Sequence, residues 1–435
     1  MPAPADPDRA LARALCAFID ASPTPFHACT TAIEALEGAG FKPLEEHAEW
    51  PAPGGDSRRF YVRRGASLVA WSVPEDAPAW QRLRLIGAHT DSPNLRVKPR
   101  PDLRRQGLRL VGVEVYGGVL LNTWLDRDLG LAGRAFVRGK GGPEERLFRL
   151  DDLLVRIPQL AIHLNREVNS AGLVLNPQQH MNPVLGLDDG GPGLRERMAA
   201  ALDCAPDALL AWDAMFHDAQ GARLVGDGES LVSAPRLDNL CSCFCGLEAL
   251  LRRTGAPQPG ASVPVLVLFD HEEVGSTSSR GAQSAFLRQV LERIVAARGG
   301  TRDDFLRALA QSVCASCDMA HATHPAYPEK HDLDHPVRMN AGPAIKTNVN
   351  QRYASEAATE ALFLEACERA GVRCQQYVNR GDLPCGSTIG PLTAAGLGVA
   401  TVDVGNPQWA MHSARELCGA DDPAQLVAAL TAFLE

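Results

Sequence analysis

No apolar run in this 435-residue chain approaches the roughly 20 residues needed to cross a bilayer. The opening stretch, Met1-Pro-Ala-Pro-Ala-Asp-Pro-Asp-Arg9, lacks both the basic and the apolar segments of a secretory signal, so a cytoplasmic location is expected. Twelve cysteines are too few, in a chain this long, for a disulfide scaffold. Cys241, Cys243 and Cys245 alternate along a segment that reads as helix, and most of the others lie in apolar runs, so buried free thiols are expected. Cys314-Ala-Ser-Cys317 matches C-x-x-C, but it is an isolated pair with no second C-x-x-C or His pair at finger spacing, which argues against a zinc-ribbon or redox role. Positive charge is outnumbered: 43 Lys and Arg against 52 Asp and Glu leave a net charge of -9, which argues against nucleic acid or an anionic membrane as the main partner, though not against a local cationic pocket.

What is present is an ordinary globular composition, long enough for two domains or for one domain with a large insertion. Asp8–Ala21 and Phe26–Gly38 read as amphipathic helices separated by the breaker Ser22-Pro-Thr-Pro25. Phe60–Val62 and Leu68–Ser72 read as a hairpin through Gly65, and Leu83–Ile86 as a strand ending in Gly87-Ala-His-Thr-Asp-Ser-Pro93. From Asn94 to Ser233 the texture changes to alternating runs such as Leu108–Tyr116 and Arg134–Arg138, broken by glycine pairs. Strand–helix alternation then resumes, with helices at Asp238–Thr254, Ser284–Arg298, Phe305–Ser312 and Ser355–Ala370. Strands are expected at Val263–Phe269, Val313–Asp318, Val372–Tyr377 and Gly396–Val404, and a last helix begins at Asp421-Asp-Pro423. The fold class is therefore α/β, a mixed sheet sandwiched by helices with a β-rich insert. Residues 1–93 and 234–435 form its main domain and residues 94–233 the insert.

The segment Val263-Pro-Val-Leu-Val-Leu-Phe-Asp-His-Glu-Glu-Val-Gly-Ser276 organises the rest. Its first half is an apolar, β-branched run of the kind buried on both faces of a parallel sheet. Its second half sets Glu272 and Glu273 just beyond the strand's carboxyl end, where open α/β sheets bind ligands. An isolated Glu-Glu pair is more often a solvated acidic turn. Two adjacent glutamates also suit a metal ion, one as ligand and the other as general base on an activated water. Other strand ends add His89 and Asp91, Asp318 and His412, and the end of the insert adds Asp238. Singly, His89 could be a satisfied core histidine and Asp238 a helix cap. Together they make a mixed nitrogen and oxygen set suited to zinc, cobalt or manganese, and large enough for two ions with one Asp between them. The run His331-Asp-Leu-Asp-His335, in a proline-bounded polar loop, reads as solvated surface.

Gly87–Pro93, Arg236-Leu-Asp-Asn-Leu240, Asp270–Ser276, Cys317-Asp-Met-Ala-His-Ala322, Lys346-Thr-Asn-Val-Asn-Gln-Arg-Tyr353 and Met411-His-Ser413 resemble, in order and over nearly the whole chain, segments of the aspartyl aminopeptidases. These are dinuclear zinc metallo-aminopeptidases with an inserted dimerisation domain. The resemblance implies that Asp238 bridges two divalent ions, with His89 and Asp318 completing one site and Glu273 and His412 the other. It makes Glu272 the general base and Asp91 the residue that orients His89. It also implies that Lys346 and Tyr353 border the pocket for the first substrate side chain, and that His163 reaches a neighbouring subunit's active site. From the residues alone, Lys346 could equally keep its head in solvent and His163 could be a packed helix histidine. The implied activity is removal of N-terminal Asp or Glu from short peptides by a homo-oligomer, a dodecamer built from dimers. The rival readings are a dinuclear deacylase or carboxypeptidase on N-acyl amino acids, and a binding scaffold without catalysis.

Overall fold

The computed structural model describes residues 7–54, 57–254 and 262–435. Among them, the strands gather into three sheets. The largest is built from β1 (Lys42–Pro43), β2 (Arg59–Arg64), β3 (Ser67–Ser72), β4 (Leu83–His89), β5 (Val263–Phe269), β6 (Val313–Cys317), β7 (Ala344–Thr347), β8 (Gln375–Val378) and β9 (Ala400–Gly405). Their order is β1-β2-β3-β5-β4-β6-β9-β7-β8. The central strands β5, β4, β6 and β9 run parallel, whereas β3 and β7 pack antiparallel against them. The mixed sheet expected from the sequence is therefore observed.

Helices cover both faces, and the burial pattern of β5 shows why. Val265, Val267 and Phe269 join a core with α4 (Phe286–Ala297) and α5 (Arg302–Ala310). Leu266 and Leu268 point the other way, into a core with α1 (Pro7–Ala21), α2 (Pro25–Gly38), α3 (Leu237–Arg253), α6 (Ala357–Arg369) and α8 (Asp422–Phe433). A period-2 chain with apolar residues on both faces must be covered twice. Gly246 of α3 lets that helix settle on the sheet, since a Cβ there would lie 2.9 Å from Ile86 and Leu266. Helix α2 starts where the Ser-Pro-Thr-Pro breaker predicts: Thr24 Oγ1 accepts the His27 N–H at 3.4 Å and Pro25 occupies the first turn.

Residues Asn94 to Asp218 supply all six strands of a second, antiparallel sheet. Its order is Gly142–Val155, Leu129–Gly139, Leu209–Asp218, Asn94–Arg105, Leu108–Tyr116, Val184–Leu187, and it has its own apolar core. The third sheet links Arg223–Val225, Leu231–Ala234, Glu416–Gly419, Pro407–Trp409 and Ala320–His321. All twelve cysteines are free and most are buried.

The parallel register aligns the strand ends. His89 faces Phe269 across β4 and β5, and Gly87 faces Ser316 across β4 and β6, so the residues after β5 and β6 emerge beside His89. Two expectations need correction. The strand expected over Gly396–Val404 begins only at Ala400, because Ile389–Leu397 forms helix α7. The strand expected over Val372–Tyr377 is observed at Gln375–Val378.

Gly405, at the end of β9, backs directly onto the loop that carries Asp318: a Cβ there would lie 1.8 Å from the Asp318 carbonyl oxygen. Gly405→Ala is expected to destabilise the fold by about 1–3 kcal/mol, as overpacking does, in urea denaturation. Unchanged stability would show that this close approach does not matter.

Candidate metal centre

His89 ends β4, and its imidazole is fixed from behind. Its Nδ1 lies 3.0 Å from the Asp91 carbonyl oxygen and 3.5 Å from Asp91 Oδ1. Asp91 in turn is held by the Tyr116 hydroxyl at 2.6 Å and by the backbone N–H groups of Glu272 and Glu273, each at 3.1 Å. With Nδ1 so engaged, Nε2 faces Asp238 Oδ1 at 3.5 Å, Asp318 Oδ1 at 3.6 Å and Glu272 Oε2 at 4.0 Å. His412 repeats the arrangement. Its Nδ1 donates to the Gly118 carbonyl at 3.0 Å, leaving Nε2 facing Asp238 Oδ2 and Glu273 Oε2, both at 3.4 Å.

Two trios thus share Asp238: His89, Asp238 and Asp318, and Asp238, Glu273 and His412. A third overlapping group, His89, Glu272 and Glu273, lies between them. Ligands of one tetrahedral zinc, each about 2.0–2.2 Å from the ion, stand about 3.4 Å apart. The observed spacings match that figure. Asp238 Oδ1, Glu273 Oε1 and Asp318 Oδ1 are buried and have no hydrogen-bond partner, an arrangement costly for carboxylates unless a cation meets them. The donor set and its orphaned oxygens therefore fit metal ions.

Local structure aims these groups. The turn after β5 has His271 in the left-handed region (φ 65°), which turns Glu272 and Glu273 back over the strand end. Asp238 lies in the first turn of α3 with non-helical angles (φ -82°, ψ 103°), and the peptide linking it to Asn239 is cis. Ser92 Oγ donates to the Asp238 carbonyl at 2.6 Å, and Asn239 Nδ2 to the Cys317 carbonyl at 2.8 Å. His412 itself has φ 67°.

The trios form the floor of a cleft of about 240 Å³ whose walls include Met319, His321, Lys346, Tyr353, Thr388 and Met411. Lys346 is 2% exposed, so the reading with its head in solvent is corrected. Its Nζ lies 3.2 Å from Asp318 Oδ2, 3.3 Å from the Met319 carbonyl and 5.1 Å from the centre of the Tyr353 ring. His163 is not in a helix but in an exposed turn, and does not line this cleft, so the packed-helix reading is corrected as well. The discounted run behaves as surface: His335 pairs with Asp332 at 3.1 Å in an exposed loop, and His331 accepts the His324 N–H. Sequence reasoning missed Tyr116, Gly118 and Glu416. Tyr116-Gly-Gly118 closes an alternating strand of the second sheet, a signal of a turn but not of what the turn touches.

The family profile described as Aminopeptidase I zinc metalloprotease (M18) matches residues 18–434. The chain belongs to the M18 aminopeptidase family. It is similar to the protein named Probable M18 family aminopeptidase 2 of Mycobacterium leprae, at 53% identity over 422 residues, which is 96% of this chain and 97% of that protein. Among solved structures it resembles a chain in the cryo-EM structure of the Ape4 and Nbr1 complex. The TM-score there is 0.95 at 36% identity, covering 98% of this chain and 86% of that one. It also resembles the S. cerevisiae mApe1 dodecamer, with a TM-score of 0.84 at 26% identity, covering 98% of this chain and 96% of that one. The chain is accordingly a metallo-aminopeptidase, a hydrolase, and no helix among the described residues is long and apolar enough to cross a membrane.

Massing carboxylates around two imidazoles sets the charge of the metal-free chain. Burial pushes Glu272 up to about 8, with Asp318, Asp91 and Asp238 reinforcing it and His89 opposing. Burial and the charge of Asp238 raise Glu273 well above the carboxylate range. Burial works against a charged His412, yet its contact with Asp238 and the charge of Glu273 lift it to about 10. His89 is likewise raised, by Asp318 and Asp91 against burial. Burial opposes ionisation of Asp318, but Lys346 and His89 outweigh it and hold that carboxyl well below its usual range.

At neutral pH the metal-free site therefore holds protons on groups that must shed them to become ligands. Zinc binding at pH 7 is expected to release at least about two protons per chain, and apparent affinity should rise with pH. Calorimetry in buffers of different ionisation enthalpy measures this directly. Binding without proton release would contradict the charge state described.

Proposed function

We propose that this aminopeptidase holds two zinc ions per subunit and removes N-terminal residues from short peptides, preferring Asp or Glu. The observation that carries this reading is the pair of trios joined through Asp238, with Glu272 beside them and the buried cation Lys346 in the same cleft. His89, Asp238 and Asp318 would hold one ion and Asp238, Glu273 and His412 the other. The ions would supply Lewis acidity and lower the pKa of a bound water.

The remaining work falls to side chains. Glu272 reaches into the cleft but, on this assignment, is not needed as a ligand. With the ions bound and its own proton shed, its carboxylate would take the proton from the attacking water and return it to the leaving amine. Asp91 holds His89 in the tautomer that presents Nε2. Tyr353 packs over Lys346 and keeps its ammonium inside the cleft. Two of the three Lys346 donors meet Asp318 and the Met319 carbonyl, which leaves one for a substrate carboxylate. Once Asp318 shares its charge with an ion, Lys346 retains much of its own, which favours an acidic first residue.

The same reading extends to assembly. Residues 94–233 would be the inserted dimerisation unit and the chain a cytoplasmic homo-oligomer, a dodecamer built from dimers. Support comes from the dodecameric mApe1 relative and from exposed Leu160, Ile162 and Leu164 flanking His163. A neighbouring subunit would cover that segment and receive His163 in its site.

Glu272→Gln should retain zinc and fold while activity falls by at least about 100-fold, in line with loss of a general base. It is best measured on aminoacyl chromogens alongside metal analysis. Retained turnover would refute the assignment. In the same panel, Lys346→Met should raise KM for Asp and Glu substrates at least about tenfold more than for Ala or Leu substrates. Equal losses on all substrates would remove Lys346 from specificity. Cleavage confined to N-acyl amino acids would favour a deacylase.

A further inference from the structure

Glu416 lies outside the cleft, 2% exposed, at the start of the strand Glu416–Gly419. It faces Ala234 in the register of the third sheet, just before the turn into α3. Its two carboxylate oxygens are divided between two distant residues. Oε2 accepts the Asp238 N–H at 3.0 Å, and Oε1 accepts the His412 N–H at 2.7 Å. Asp91 likewise accepts the N–H groups of the adjacent Glu272 and Glu273, whereas Glu416 ties together two candidate ligands far apart in the chain.

Both grips fall where the chain cannot hold itself. Asp238 sits in the first turn of α3, where backbone N–H groups have no acceptor within the helix, and its angles are not helical. His412 has a left-handed backbone (φ 67°) uncommon for a residue with a side chain. The first trio shares Asp238, but its other two members are secured differently: His89 rests on Asp91, and Asp318 on Lys346. Glu416 makes no hydrogen bond to either His89 or Asp318.

We propose that Glu416 is a positioning residue that sets the spacing of Asp238 and His412, and thereby the affinity of the ion held by Asp238, Glu273 and His412 relative to its neighbour. This rests on the two-ion reading above. A carboxylate accepts at both oxygens. A glutamine of the same shape has one acceptor oxygen and turns an NH2 toward the other N–H, so one of the two backbones loses its anchor.

The test is titration of the metal-free protein with Zn²⁺ and separately with Co²⁺, whose absorption reports coordination, for the wild type, Glu416→Ala and the near-isosteric Glu416→Gln. The wild type should take up two equivalents. Glu416→Gln should keep one equivalent at wild-type affinity and bind the second about 10–100-fold more weakly, the usual cost of losing a group that supports a ligand. Excess zinc should restore its activity, and the melting temperature of its metal-free form should stay close to that of the wild type. Two equivalents at wild-type affinity in Glu416→Gln would overturn the proposal, and so would equal weakening of both. Should Glu416→Ala not fold, Glu416→Gln alone decides. A wild type that binds a single ion would overturn the two-ion reading itself, an outcome distinct from any behaviour of the variants.

Discussion

The repulsion among Asp91, Asp238, Glu272, Glu273 and Asp318, gathered at the end of a parallel sheet with two imidazoles and one ammonium, governs this molecule. In a low-dielectric setting such a group raises the proton affinity of its members or recruits cations. Here it does the first in the metal-free chain, lifting Glu272, Glu273 and His412, and its geometry fits the second. Much of the surrounding structure serves to hold the carboxylates against this repulsion. Asp91 is anchored by a tyrosine and two backbone N–H groups, Asp318 by Lys346, and Asp238 through its own N–H and carbonyl.

These anchors come from all three sheets. The large sheet supplies His89, the turn with Glu272 and Glu273, the loop with Asp318, and Lys346. The six-stranded sheet supplies Tyr116 and the adjoining Gly118, and the third sheet Glu416 and the turn bearing His412. The contact is tight enough that a Cβ on Gly117 would lie 3.1 Å from the Glu273 side chain. The β-rich segment thus helps to shape the metal centre from within the same chain, whatever else it does in an assembly.

The large sheet and the candidate ligands were legible because they rest on local signals. The run Val263–Phe269, apolar and β-branched, reads as a strand covered on both faces, and its register with β4 brings the residues that follow it beside His89. Helix α7 was not legible: Ile389-Gly-Pro-Leu-Thr-Ala-Ala-Gly-Leu397 carries two glycines and a proline, all poor helix formers. Tertiary packing overrides that preference. Gly390 approaches Asp403 so closely that a Cβ would lie 2.2 Å from its carboxylate, and Asp403 takes hydrogen bonds from Ser316 and Thr388 at 2.6 Å each. Tyr116, Gly118 and Glu416 were hidden for a different reason. Each acts across a long sequence separation on a residue of another element, and no local pattern encodes such a meeting.

The division of labour proposed for Glu272 and Glu273 was equally beyond spacing, since adjacent glutamates are interchangeable on paper. In the folded chain they differ: Glu273 Oε2 faces His412 at 3.4 Å, whereas Glu272 Oε2 approaches His89 at 4.0 Å. Anomalous diffraction at the zinc edge from crystals grown with zinc tests this site most directly. Two peaks about 3.5–4 Å apart are expected, with the Asp238 carboxylate between them and Glu272 bound to neither. A single peak, or a pair that leaves Asp238 unligated, would contradict this assignment.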